Sequence, residues 1–369
     1  MELDYTEIHH SRKILGTDKG ESMEEGRIRE ILTTGLHKNA ERNWEAPLPF
    51  KTDTIILPDN KGHCLRHLFL KRRLLNDKLQ DDFLPSWKKT LDNRHASRVP
   101  LHQLTTAQGK AWYIPYFHLF HPRKPDQIRV VFDCSAVYEN ESLNKHLVQG
   151  PDQLNPLIGV LTRFRKEAVA LTCEIEQMFH SFYVNLSDID YLRFLWLANN
   201  DFTGPIVECR LNVHLFGPAS SPGVTKFCLH QTAEDNRQEF ADKASDFLLR
   251  DFYVEDGLKS VSTVEQALQL IQCTQAMCAK ENLRLHKFAS NSRDVLKALP
   301  ANDRAKDLKY LDLRPIQFPS KDLSAPTVVS ILTLSDFVLN SETNLPPAAG
   351  FCQQLVQFMT HLEQYRPSY

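Results

Sequence analysis

Apolar positions recur at helical spacing in the first quarter of the chain. "MEEGRIREIL" (residues 23–32) predicts a helix. In "CLRHLFLKRRLLNDKLQDDFL", Leu65, Leu68, Leu75 and Leu79 stand near helical spacing with basic residues between them. Pro85 breaks or restarts that helix, and a second is predicted from Ser86 to about His95. "WEAPLPFK", punctuated by two prolines, predicts an extended piece between the helices.

The pattern then changes to that of strands. "AWYIPYFHLFHPRKPDQIRVVFDCSA" has aromatic and β-branched residues on both sides of "HPRKPDQ", which predicts two strands around a turn. Arg123 and Lys124 stand at its tip, and Arg129 opens the return strand. "AVALTCEIEQMF" predicts a buried strand from Val169 to Cys173 with Glu174 at its exit. "YLRFLWL" predicts another strand, and "LFGPASSPGVTKFCLHQTAEDN" a Gly/Pro/Ser loop leading into a helix. In "RDFYVEDGLKSV", the Asp256-Gly257 pair is a hairpin turn signal between apolar flanks. Thr263 and Gln266 then fit a capping box, with Val264, Ala267, Leu268 and Ile271 on one apolar face. Strands mixed with helices in this order give an α+β class.

Composition adds limits. The 369 residues can hold two or three domains, and 42% hydrophobic with 24% charged residues is a globular composition. Eight scattered cysteines form no C-x-x-C pair, so neither a zinc site nor a redox motif is expected. No apolar leader and no run of 18 apolar residues occurs, which predicts an unsecreted protein without membrane partners, in the cytoplasm or nucleus. The net charge is −2, but residues 61–129 carry fourteen Lys/Arg against five Asp. A basic segment of that kind suits an anionic partner such as a phosphate backbone.

The candidate chemistry lies in the acids at strand ends. Glu174 follows one apolar strand, and Glu255 and Asp256 lie in a hairpin about eighty residues later. If those strands adjoin, three carboxylates converge, and like charges that close need a cation between them. Oxygen-rich sites suit Mg²⁺, and a pair of such ions clamps an in-line phosphoryl displacement.

"YVEDGLKSV" resembles the Tyr-x-Asp-Asp hairpin of reverse transcriptases. More narrowly, the chain resembles the reverse transcriptases of Pao/BEL-type LTR retrotransposons. The matching pieces run in family order from about Trp44 to Arg314: "APLPFK", "LKRRLLND", "WYIPYFHLFHPRKPDQIRVVFDCSA", "SLNKHLVQGPDQLNPLIGVLTRFR", "VALTCEIEQMFHSF", "LRFLW", "VHLFGPASSP", "TAEDN", "FYVEDGLKSV" and "LRLHKFASNSRDVL". The resemblance implies a right-hand DNA/RNA polymerase fold, fingers plus palm, with a ferredoxin-like palm sheet and flanking helices. It divides the chain into a polar, helical lead with a basic helix (1–95), a fingers-like region (96–168), a palm-like region (169–295) and a tail (296–369). It implies RNA-directed DNA polymerase chemistry with two Mg²⁺ ions, an RNA/DNA primer-template and deoxynucleoside triphosphates. By position, Glu174, Glu255 and Asp256 are the metal-binding acids. Phe179 is the aromatic gate against a ribose 2′-OH. Phe216-Gly217, with Ser221-Pro222, is the loop under the incoming base and template. Arg129 contacts the triphosphate, and Lys287 lies where a general acid for pyrophosphate departure stands.

The chain departs from that pattern at the metal site. Where the family has aspartate, Glu174 and Glu255 each carry one methylene more, roughly 1.5 Å of extra reach. In-line transfer loses on the order of a hundredfold for an error of about 1 Å. Weak or absent polymerase activity is therefore expected, leaving a nucleic-acid-binding remnant or a domesticated interaction protein as the alternatives. Asp322 to Tyr365 also contains no Lys or Arg. Back-translating "GFCQQLVQFMTH" and regrouping one base earlier permits I-L-S-T-V-S-S-I-Y-D-P, the family's continuation, and "NLPPAAG" and "FPSKDLSA" regroup similarly. Residues 315–369 are accordingly expected to be an out-of-frame, poorly ordered readout.

Overall fold

The structure is a computed structural model that describes residues 23–74, 87–88, 90–121, 124–149, 155, 157–201, 204–240 and 242–305. The frame change expected at 315–369 lies outside the described residues, as do Leu75 and Leu79. The described chain opens with helix α1 (Met23–Gly35), strands β1 (His37–Lys38) and β2 (Trp44–Ala46), and helix α2 (Lys61–Leu74). Strands β3 (Ala96–Arg98), β4 (Tyr116–His121) and β5 (Lys124–Phe132) follow, then helix α3 (Leu157–Phe164). Next come β6 (Val169–Ile175), β7 (Tyr183–Val184), β8 (Arg193–Leu197), β9 (Ile206–Leu211), α4 (Ser221–Asp235) and α5 (Asp242–Arg250). The last elements are β10 (Phe252–Tyr253), β11 (Asp256–Val261), α6 (Val264–Lys280), β12 (Leu285–Ser290) and α7 (Arg293–Ala298).

The sheet that carries the acids has the order β10-β11-β6-β12, with each neighbouring pair antiparallel. Its central strand, β6, alternates. Leu171, Cys173 and Ile175 enter the largest core, and Ala170 lies on the opposite face in a smaller one. That alternation is what a strand covered on both sides by different layers requires. Helices α1, α4, α5 and α6 supply the first layer. Ile28 and Leu32 of α1, one turn apart, are fully buried there, and each such side chain contributes about 1.5–3 kcal/mol. On α6, the predicted stripe holds: Ala267 and Ile271 are buried, and Val264 and Leu268 pack partly buried against the same core. Its N-cap, Thr263, accepts from the Gln266 N–H at 3.3 Å. The Gln266 side chain in turn accepts from the Ser262 N–H at 3.3 Å, one residue earlier than a standard box. On the opposite face, Val160, Leu161 and Phe164 of α3 cover Ala170 and Leu258.

A second core gathers around β3, β8 and β9, which form one antiparallel sheet in the order β3-β9-β8. Trp87 stacks there on Phe194 at 5.0 Å and meets Trp196 at 4.3 Å between ring centroids. The predicted pair of strands is β4 and β5, antiparallel, with Leu119 opposite Arg129. β5 already begins at Lys124, so most of "HPRKPDQ" is strand rather than connection, Lys124 pairs with His121, and Arg129 lies within the return strand rather than opening it. Neither core is a continuous stretch of chain. Trp44 and Ala46 pack in the first core and Leu48 in the second, while β8 and β9 leave the first to join the second. Among the described residues, no helix is long and apolar enough to cross a membrane.

Candidate functional site

Two expectations about the acids are corrected by the strand register. β6 runs to Ile175, so Glu174 lies within the strand rather than at its exit. The hairpin pairs Tyr253 with Asp256 and Phe252 with Gly257, so the two-residue turn is Val254-Glu255, not Asp256-Gly257. The glycine that signalled the turn serves packing. A Cβ on Gly257 would stand 2.6 Å from Phe252 Cζ and 2.8 Å from Cys173 Sγ. Val254 takes the positive φ instead, at 54°. For a β-branched residue that conformation is strained, at roughly 1–3 kcal/mol.

The same register brings the acids together. Asp256 is the direct cross-strand partner of Glu174 on one side, and His286 is its partner on the other. Direct partners in an antiparallel pair have Cβ atoms about 4.5–5.5 Å apart on one face. Tyr253, Asp256, Glu174 and His286 thus form a row across the sheet, on the face away from the largest core. Helix α3 covers the Ala170 end of that face, and at the other end Glu174 keeps 20% of its side chain exposed. Glu255 sits in the turn beside the row, and its backbone oxygen accepts from the Ile175 N–H at 3.0 Å.

The electrostatics of the row are uneven. Burial and the neighbouring Glu255 and Glu174 charges, opposed by Lys287, push the Asp256 carboxyl up to about 7. Burial acts in the same direction on Glu174, but the facing His286 and the hydrogen-bonded Lys287 outweigh it and hold that carboxyl below its ordinary range. Lys287 Nζ donates to both Glu174 oxygens at 2.7 Å. His286 Nε2 stands 3.7 Å from Glu174 Oε1.

The lysine reaches that position through a break in the ladder. His286 pairs with Glu174 and Ala289 with Thr172, so Lys287 and Phe288 together oppose the single residue Cys173. This is a β-bulge. Lys287 has φ 51°, in the left-handed region. In a regular ladder it would face the core with Cys173. The extra residue gives that place to Phe288, which is 1% exposed, and turns Lys287 to the face of Glu174.

Below the hairpin a second charged group fixes its base. Asp251, 1% exposed, receives Arg163 Nε at 2.6 Å and pairs with Lys259 Nζ. The Asp251 carbonyl accepts from the Leu258 N–H at 2.9 Å, which holds the start of β11. Asn155 adds a clamp, its amide donating to the carbonyls of Leu249 at 3.1 Å and Phe252 at 2.8 Å.

Three carboxylates suit Mg²⁺ by donor chemistry. Their arrangement does not. Both Glu174 oxygens are held by one ammonium. Among the described residues, no group of three or more acidic, histidine or cysteine side chains is placed to hold a metal ion. As they stand, these residues do not fit the expected ion pair.

The remaining predicted residues divide into two sets. Phe179 and Phe216 meet with ring centroids 4.0 Å apart, Phe179 at 3% exposure and Phe216 at 55%. Gly217 has φ 134°, and a Cβ there would stand 2.7 Å from the Phe132 carbonyl and 3.2 Å from Cys134 Sγ. The loop is therefore pressed against the end of β5, and the Asn144 amide donates to the Gly217 carbonyl at 2.9 Å. Arg129 is in β5, three residues before Phe132, and its side chain lies outside the described residues. His286 was not anticipated. The signal for His286 is the stretch "LRLHKF", whose alternation points Leu285 inward and His286 outward, but its neighbour Glu174 follows only from strand order.

No family model matches the chain, and no curated protein matches it. Among solved structures, it is similar to a foamy viral protease-reverse transcriptase in complex with RNA/DNA hybrid, at 12% identity and a TM-score of 0.44, covering 77% of this chain and 33% of that one. It is also similar to the foamy viral protease-reverse transcriptase dRH in complex with ds DNA, at 15% identity and a TM-score of 0.40, covering 55% of this chain and 30% of that one. The chain thus spans about a third of the length of each.

Proposed function

We propose that this chain is the fingers-and-palm part of a reverse-transcriptase-like protein of Pao/BEL type, that it binds primer-template nucleic acid, and that its DNA synthesis is weak or absent. The observation that carries this reading is the register that makes Glu174 and Asp256 direct partners beside the Val254-Glu255 turn. The ordered motifs from about Trp44 to Arg314 supply the family. The element order supports a palm: β6, then helices, the β10-β11 hairpin, helix α6 and β12, in the spatial order β10-β11-β6-β12. This is the connectivity of a ferredoxin-like unit with β7 to β9 inserted.

In this reading Phe179 is the aromatic gate against a ribose 2′-OH, Phe216-Gly217 is the loop under the incoming base and template, and Arg129, in β5, is the residue that contacts the triphosphate. The basic segment 61–129 holds the phosphate backbone without sequence preference. Part of its charge is used internally. Lys61 pairs with Glu208, and Arg94 with Glu41 at 3.0 Å.

Primer extension on an RNA template, with Mg²⁺ and Mn²⁺ compared, tests the reading. The unmodified chain is expected to retain salt-sensitive primer-template binding with little or no extension. Robust synthesis by it would refute the impaired chemistry. A comparison chain with Glu174→Asp and Glu255→Asp separates reach from the rest of the site.

A further inference from the structure

The bulge in β12 turns a lysine that the ladder would have buried onto the carboxylate at the centre of the acidic row. We propose that Lys287 is the resident cation of this row, a tethered ammonium that occupies Glu174 and keeps divalent ions out until it swings away. The proposal rests on the functional reading only in taking the acidic row as the site.

Three observations support it independently of that reading. The ammonium engages both Glu174 oxygens at 2.7 Å, as a chelate rather than a glancing surface pair. The backbone of Lys287 adopts φ 51° within a two-for-one bulge, a conformation whose local cost is met by what it places. Glu174 has 20% of its side chain exposed and Lys287 47%, so the pair sits at the open edge of the sheet face and the lysine has room to leave. The charges agree. Glu255 and Glu174 are the like charges that act on Asp256, and Lys287 is the opposing one. Removing the ammonium leaves a carboxylate cluster with an unmet demand for positive charge. Glutamate suits this arrangement: the longer side chain brings its carboxylate out toward the bulge.

Direct metal binding tests the idea without nucleotide or nucleic acid, so its outcome is separate from that of primer extension. Free Mn²⁺ is followed by electron paramagnetic resonance as it is titrated into the full chain. The unmodified chain and Lys287→Arg are expected to bind weakly. Lys287→Met is expected to bind one Mn²⁺ at least tenfold more tightly, and adding Glu174→Gln to it is expected to abolish the gain. Equal affinity of the unmodified chain and a folded Lys287→Met would overturn the proposal. Amine labelling of the native chain gives a second measurement that needs no lysine variant. Lys287 is expected to react several-fold more slowly than the exposed Lys297, and to match it in Glu174→Gln. Labelling of Lys287 at the Lys297 rate in the unmodified chain would also overturn it.

Discussion

Single residues carry much of the strain and packing at this site, and their roles depart from their sequence signals. Gly257 reads as a turn residue because Asp-Gly pairs favour turns with positive φ. In the fold it gives room for Phe252 and Cys173, and the positive φ passes to Val254. Gly257→Ala is therefore expected to destabilise by about 1–3 kcal/mol through overpacking, a loss that urea denaturation would register. Two histidines set an acid limit. Burial lowers His214 to about 4, and it lowers His230 to about 4 with help from Lys226. Both are neutral when folded and take up a proton when unfolded below about 6.5. Their stabilisation is thus complete above pH 6.5 and is lost as pH falls from about 6.5 to 4. His214 is wholly buried, with its Nε2 3.3 Å from the Ala46 carbonyl. Denaturation followed from pH 7 to 4.5 is expected to show a drop of about 1–3 kcal/mol for each histidine. His214→Phe should flatten that slope, and an unchanged slope would count against the burial argument.

At the scale of elements, the hairpin and the bulged strand hold the acidic row. The hairpin is short, two residues in β10, so its pairing alone cannot fix it. The buried Asp251, with Arg163 and Lys259, anchors its base. Asp251→Ala removes the buried carboxylate that Arg163 and Lys259 share and is expected to cost about 3 kcal/mol. Hydrogen exchange would show where the destabilisation falls, with early opening of the β11 amides as the expected result. Elements with strong local signals were legible. Helix α6 announces itself by a cap and a stripe, and β4 and β5 by aromatic runs around two prolines. The strand β9, "IVECRL", was not foreseen. Its glutamate at 208 faces the second core, where it pairs with Lys61 and Arg193 and accepts from Tyr113 at 2.6 Å. A buried acid in mid-strand blurs the apolar pattern that sequence reading relies on.

For the whole molecule, the proposed binding to nucleic acid is open to direct measurement. Fourteen Lys/Arg in residues 61–129 predict that the logarithm of the primer-template binding constant falls linearly with the logarithm of salt concentration. Neutralising exposed basic residues such as Arg66 and Lys88 should reduce the slope by roughly 0.7–0.9 for each phosphate that is no longer paired with a cation. A salt-independent affinity would argue against a phosphate partner. The sequence by itself determined which segments are strands and helices wherever apolar periodicity was clean. It also marked Glu174, Glu255 and Asp256 as candidate acids and the uneven charge, and its family resemblance singled out Phe179 and Phe216. Only the tertiary structure decided that Asp256 and His286 flank Glu174, that Val254 rather than Gly257 turns the chain, and that Lys287 closes on Glu174. The reason is physical. Periodicity reports which face of an element is buried, a local property of neighbouring residues. Strand order, register and a one-residue bulge are settled by long-range packing, and shifting register by a single residue moves every side chain to the other face.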